Sequence, residues 1–589
     1  MKNRSWSLKE LYASFDSQVF KEDFQALEKS VDAYNAFVES LNYDDTKKFL
    51  KEYIIFNKIN TIRFEKLFAF ANLTFSVDTS NKNALKYMDK LKKIQSNFTS
   101  ADVRFEKWLS SIDDLEGILI SDEILSEHKY LLNRIKIKQQ YKLSEKEEIL
   151  LSKLRQTGSS SWSTLQDKVL SQLEVTVDID GKKEIMPLPA VRNLAYKDDA
   201  KIRKSAYNAE LAAYEQMDTV SASALNSIKG EVLEVSELRG FESPLDESIF
   251  KSRLSRKALD AMLSAMKDSL DDFGDYFLRK AELLGHDQLP FYDLFAPIGD
   301  IGTEFTYDEA QEFIVEKFNT FSNELGDYAE NAFNQDWIDP FPKKGKRGGA
   351  FCYNLQSIKE SRILSNFTGS LSDVMTLAHE LGHGYHGYTL KEESILNSDY
   401  PMPLAETASI FCETIVKNAI LKDATKEEKI AIIESSLQDS SQVIVDIYSR
   451  FLFESSLFNK RKEYALSVDE MKALMLDAQR EAYSNSLSEE AMHPYMWMCK
   501  PHYYSAGFNF YNYPYAFGLL FALGLYNIYL AEGDAFIEKY NELLRLTGKE
   551  DVVEVTKSIG IDIESKSFWE GSLNQVKDQI NEFIILTNK

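Results

Sequence analysis

The stretch Leu377-Ala378-His379-Glu380-Leu381-Gly382-His383 decides how this chain is read. It has the form H-E-x-x-H, and a helix brings positions four apart onto one face. On such a helix His379 and His383 aim imidazole nitrogens at a common point, with Glu380 one residue further round. Glu380 is poorly placed to join them on an ion, yet well placed to take a proton from a water bound to it. Two neutral imidazoles with a flanking carboxylate are the ligand-plus-base arrangement of zinc peptidases. The competing reading is a surface or core helix that happens to carry two histidines, and the neighbouring residues weigh against it.

Ser370-Leu371-Ser372-Asp373 offers N-caps, so the helix is expected to begin there. His386 lies seven residues after His379 on the same face, a place suited to supporting a ligand. The alternative three-histidine zinc scheme needs Gly at 386 and His at 389; the chain has His386 and Thr389, which excludes it. A catalytic zinc normally takes three protein ligands and a water. The best third candidate is Glu406, in Met402-Pro403-Leu404-Ala405-Glu406-Thr407-Ala408-Ser409, where Pro401 and Pro403 reset the chain. Glu413, seven residues on, is either a hydrogen-bonding support for a ligand imidazole or an ordinary salt-bridged helix residue.

The composition fits a large, mainly α-helical, globular protein. In 589 residues there are only 24 Gly and 12 Pro, roughly half the usual share, so long uninterrupted elements are expected. A net charge of −24 argues against nucleic acid as a partner, because phosphate binding needs a basic stripe. Cys352, Cys412 and Cys499 are too few and too scattered for a disulfide framework. With no apolar run at the amino terminus, the cytoplasm is the expected location. Tyr513 to Ala531 is apolar and long enough to span a bilayer. Asn527, several tyrosines and the lack of a basic flank favour a buried helix instead, and no membrane partner is expected.

Phe24, Leu27, Val31, Tyr34 and Phe37 recur at helical spacing, and similar patterns run to about residue 155. His128, among polar neighbours, reads as a surface histidine. Val175 to Met186 around Asp180-Gly181 reads as a hairpin, and the lobe boundary is placed near residue 190. This gives a helical lobe over 1–190 and a catalytic lobe over 191–589. Helical periodicity resumes from Asp198 to Leu284 and from Tyr307 to Asn334. Lys343-Lys344-Gly345-Lys346-Arg347-Gly348-Gly349-Ala350-Phe351-Cys352-Tyr353 then joins a glycine-rich loop to a strand. It is either a plain hairpin with a basic turn or an open edge, at Gly349, Ala350 and Phe351, for an extended peptide. Finally Lys500-Pro501-His502-Tyr503-Tyr504 and the aromatic run to Tyr515 place an imidazole and several phenols near the apolar helix. Such groups are suitable donors to a developing oxyanion.

Taken together, His379-Glu380-x-Gly382-His383-x-x-His386, Glu406-x-x-Ser409, His502 and the Tyr511 to Tyr515 aromatics resemble the oligoendopeptidase F and thimet oligopeptidase family of zinc metallopeptidases. Tyr292-Asp293-Leu294 and Arg347-Gly348-Gly349-Ala350-Phe351-Cys352 carry the resemblance further, over essentially the whole chain. The resemblance implies a mainly α, two-lobed helical body that encloses a central channel, with a small β-sheet beside the zinc site. It implies one Zn2+ held by His379, His383 and Glu406, Glu380 as general base, and oxyanion donors around His502 and Tyr515. Tyr511 or Tyr513 stands for a second phenol, and Tyr504 joins the substrate-binding set. Short unfolded peptides are the implied substrates, cut internally; the oligomeric state is left open, with a monomer compatible. A helical metallocarboxypeptidase and a catalytically silent peptide-binding protein are the alternatives.

Overall fold

The computed structural model describes residues 4–299 and 304–588. Helices dominate, and the described residues add only a two-stranded and a three-stranded sheet, so the mainly α expectation holds. By packing, the chain forms two compact units, each assembled from three separate stretches. The first is Met1–Tyr141, Thr303–Ile420 and Ile528–Gly560; the second is Lys142–Gly302, Leu421–Asn527 and Ile561–Lys589. A single cut at residue 190 does not follow this grouping, because residues 142–190 pack with the second unit.

In the first unit, helices Gln18–Glu39, Thr46–Val77 and Lys82–Ser110 start on Ser17, Asp45 and Asn81, whose side chains each accept a backbone N–H of the first turn. Phe20, Leu27, Leu67 and Leu91 are sealed in one core with Leu355 and Leu364 from the three-stranded sheet. Each such side chain removed from water contributes about 1.5–3 kcal/mol. This core fixes the sheet whose other neighbour is the motif helix. His128 is not on the surface: it is 1% exposed, and its ring bonds the Ile124 carbonyl and the Ser394 hydroxyl, both at 2.8 Å. Polar sequence neighbours gave no sign of that long-range partner.

In the second unit, β1 (Glu174–Ile179) and β2 (Lys182–Pro187) form the expected hairpin, with Asp180 and Gly181 both at positive φ in the turn. The apolar helix Tyr513–Glu532 is mostly buried. Phe517 packs on Trp569 at 5.0 Å, and Asn527 donates to the Gly571 carbonyl at 2.8 Å. It is a core helix.

Candidate metal centre and active site

The motif helix runs from Leu371 to Thr389. Ser370 caps it in a box with Asp373, whose carboxylate also accepts the N–H groups of Thr368 and Gly369. Burial opposes this charge, but those hydrogen bonds hold the Asp373 carboxyl below its usual range. Leu377, Ala378 and Leu381 are fully buried, so the opposite face carries His379, Glu380 and His383 toward the site. Gly382 is where the motif helix meets helix Thr407–Asp423 backbone to backbone. A Cβ there would lie 2.5 Å from the Ala408 carbonyl oxygen and 2.6 Å from Ser409 Cα. That approach brings Glu406 to the histidines.

Glu406 sits in the hinge between the short helix Met402–Ala405 and Thr407–Asp423. Its Oε2 is 3.3 Å from His379 Nε2 and 3.4 Å from His383 Nε2. Donors held ~2.0–2.1 Å from a tetrahedral ion are about 3.3–3.4 Å from one another. Both carboxylate–imidazole distances match that spacing, and the three ligand atoms all lie within 4.8 Å of one another, forming a candidate metal site. Ser409 Oγ donates to the same Glu406 oxygen at 2.8 Å. His379 Nδ1 is 3.3 Å from Glu413 Oε2, and the His383 ring bonds the Ala405 carbonyl. These contacts turn each Nε2 inward.

Electrostatics agree with that fit. Burial alone would lower the His379 imidazole, but the Glu406 and Glu413 carboxylates outweigh it and push it up to about 10. Burial likewise works against the Glu406 charge, yet His379 and His383 hold its carboxyl at about 2. His383 is pulled down to about 4 by burial, against the attraction of Glu406. A donor set that clasps a proton this firmly has the surplus negative potential that a divalent cation would neutralise. Glu380, 6% exposed, is raised to about 7, chiefly by burial, with Glu406 adding and His379 opposing.

The three-stranded sheet has the order β3 (Ile338–Asp339), β5 (Glu360–Leu364), β4 (Phe351–Leu355). β4 is an edge strand, antiparallel to β5. The Cys352 backbone N–H lies on the side of the Glu380 carboxylate and favours its charge, and Asn354 Nδ2 donates to the His383 carbonyl at 3.0 Å. Gly349 takes a positive φ of 76°, and its carbonyl accepts from Asn366 at 2.7 Å. The preceding turn is not a simple basic turn. The fully buried Lys346 ammonium bonds Asp339 at 2.7 Å and the Asp339 and Phe341 carbonyls, so it anchors the loop leading to Ala350 and Phe351.

A model of peptidase family M3 matches residues 193–575, and one described as oligopeptidase F matches residues 110–174. The chain belongs to peptidase family M3. It is a metalloendopeptidase by that membership. It is 22% identical over 588 residues to oligopeptidase PepF of Bacillus subtilis, covering 98% of this chain and 86% of that one. An oligoendopeptidase F homolog of Borreliella burgdorferi is 24% identical, covering 98% of each chain. The crystal structure of oligoendopeptidase-F from Enterococcus faecium superposes with a TM-score of 0.70 at 19% identity, over 97% of this chain and 99% of that one.

Of the other residues singled out for this M3 peptidase, three cluster in the second unit. Tyr515 donates to the Tyr511 hydroxyl at 3.0 Å, and His502 lies 5.8 Å from the Tyr511 ring. Burial, then Arg450 and Lys229, pulls His502 down to about 3, so the ring is neutral at working pH. Tyr513 is enclosed, bonded to Ser252 at 2.9 Å. Tyr504 is 1% exposed within an apolar core, which corrects its reading as a substrate-binding residue. His386 is fully buried, stacked on Tyr400 at 4.0 Å and bonded to Thr547 at 2.9 Å. It packs against Tyr400 and Thr547 rather than on a ligand. Cys352 N–H, Asn354 and the Ala405 carbonyl went unnoticed in the sequence, since backbone groups and a lone asparagine leave no pattern there.

Proposed function

We propose that this M3 peptidase is a zinc endopeptidase that hydrolyses internal bonds of short, unfolded peptides. His379, His383 and Glu406 would hold one Zn2+, which when bound supplies Lewis-acid polarisation of water and carbonyl. The observation that carries the reading is the convergence of His379, His383 and Glu406, with the buried Glu380 carboxylate next to His379 on the motif helix. A carboxylate in that place takes a proton from the attacking water and returns it to the leaving amine. Glu413 holds the His379 ring in register. The outer edge of β4, with Gly349, Ala350 and Phe351 leading into it, offers main-chain groups to an extended peptide. For the oxyanion the proposed donors are His502, Tyr515 and Tyr511, whose phenols are already hydrogen-bonded. Names of the relatives, oligopeptidase and oligoendopeptidase, support short peptides as the substrate class.

The test is an internally quenched peptide with its carboxyl end blocked, followed by mass spectrometry of the products. Internal cuts that vanish with chelator and return with zinc are expected. Glu380→Gln should bind zinc normally and lose about 10²–10⁴ in kcat. Near-normal turnover by the zinc-loaded variant removes Glu380 as the base, and release of single terminal residues only from an unblocked peptide replaces the endopeptidase reading.

A further inference from the structure

The second unit contains a cavity of about 310 Å³ that no step above uses. It lies among the segment from Pro189 to Tyr196, the helix Ala200–Glu215, the turn at Phe291 to Phe295 and the π-helix Gln442–Asp446. Its size is at the lower end of the ~300–1,000 Å³ of small-molecule sites. Single π-turns cost hydrogen-bond quality and concentrate at functional sites. Tyr196, 56% exposed, packs against Phe295 at the mouth with ring centroids 5.0 Å apart.

Two polar groups inside are poorly partnered. His493 is 2% exposed, yet neither ring nitrogen has a hydrogen-bond partner among the described residues. Its Nε2 is 3.6 Å from Glu210, beyond hydrogen-bond length, and Phe291 stands 5.1 Å from the ring. Lys500 is the second. The other cations around the cavity have closer carboxylates than it does. Arg203 is paired with Asp293 at 2.7 Å and Arg192 with Glu210 at 3.3 Å, while Arg450 takes Asp446. That leaves the Lys500 ammonium, 17% exposed, with Asp446 at 3.8 Å as its nearest carboxylate. Burial pulls the Lys500 ammonium below its usual value. An enclosed cation whose nearest carboxylate stands this far off is incompletely compensated, and an anionic ligand would complete its pairing.

We propose that this cavity binds a monoanionic α-carboxylate that carries an aromatic or bulky apolar side chain. The carboxylate pairs with Lys500 and takes a hydrogen bond from His493, and the side chain lies against Phe291, Phe295 and Tyr196. One cation held by a single long ion pair suits a carboxylate; a phosphate dianion would need more. The ligand is either a free amino acid or the last residue of a peptide, because both present this chemistry.

The experiment is calorimetric titration of the full-length, metal-loaded enzyme with L-phenylalanine, L-phenylalaninamide and N-acetyl-L-phenylalanine, each up to about 10 mM. The acid is expected to bind at least tenfold more tightly than the amide, about 1.4 kcal/mol. Equal binding of the N-acetyl compound identifies a peptide terminus, and its failure to bind identifies the free amino acid. Lys500→Met should abolish binding, and Tyr196→Ala, at the exposed rim, should weaken it. No binding of either acid, or equal binding of acid and amide, overturns the proposal even if Lys500→Met does not fold. Unchanged binding by a folded Lys500→Met overturns it as well.

Discussion

Replacing Gly382 with alanine sets two effects against each other, and the structure says which wins. In an open helix the change would stabilise by about 0.8–1.0 kcal/mol. Here the new methyl would lie 2.5 Å from the Ala408 carbonyl, where ordinary contact begins near 3.4 Å. The two helices must therefore part by roughly 0.9 Å, and the obstacle is backbone rather than a side chain that could swing away. Overpacking of this kind costs about 1–3 kcal/mol, so net stability falls by up to ~2 kcal/mol. The larger consequence is at the ligands, because Ala408 is two residues from Glu406. Widening the 3.3 Å spacing of Glu406 and His379 to about 4.2 Å would place the donors at opposite ends of an ion's diameter, which a tetrahedral site cannot use. Zinc affinity should fall at least about 10–100-fold, measured by competition with a chromogenic chelator. Gly571→Ala is the control: it is helical with no atom within 4 Å of its Cβ, so it should gain up to about 1 kcal/mol and leave zinc binding alone. A folded Gly382→Ala protein that binds zinc as tightly as wild type refutes the reasoning.

Removing the Glu413 charge with Glu413→Gln should loosen the His379 ring and weaken zinc binding by about 10–100-fold, read by the same competition assay. Metal binding should release the proton that His379 holds up to about 10 in the metal-free protein; titrations in buffers of different ionisation enthalpy should show affinity rising about tenfold per pH unit between pH 7 and 9. The sign for stability is opposite. His379's contribution to the metal-free fold is complete below its ordinary 6.5 and is lost as pH climbs through about 10. Lys346→Met would strand the buried Asp339 carboxylate, relieved by Lys343 at 3.1 Å and the Ser5 hydroxyl. It should cost about 3 kcal/mol in denaturant unfolding and impair peptide cleavage while zinc affinity is retained.

The motif helix was legible because its message is local: i, i+4 spacing, a serine cap and a following acid are all sequence-adjacent. The hairpin at Asp180-Gly181 was legible for the same reason. What escaped needs long-range contact. Lys346 read as part of a basic turn because its carboxylate, Asp339, and the carbonyls it binds are assembled only by the fold. His128 looked exposed because Ser394 is far away in sequence. The heptad step from His379 to His386 keeps the face but advances two helical turns, about 10.5 Å. That carries His386 past any ion at His379 and into the packing around Thr547. Discontinuous units are hidden for a related reason, since no composition change marks where the chain leaves one and re-enters it.

Charge burial takes opposite signs at two places in this chain. Around His379 and His383 the carboxylates Glu406, Glu413 and Glu380 leave an excess of negative potential, and imidazole protonation is its visible symptom. Around His493 the Lys500 ammonium is enclosed, its nearest carboxylate 3.8 Å away, and burial pulls it below its usual value. In a protein of net charge −24 carboxylates are plentiful, and one more facing Lys500 would have closed the ion pairs. A cavity that instead keeps an enclosed ammonium short of a partner, beside an imidazole with both nitrogens unused, leaves its last pair to be completed by a ligand.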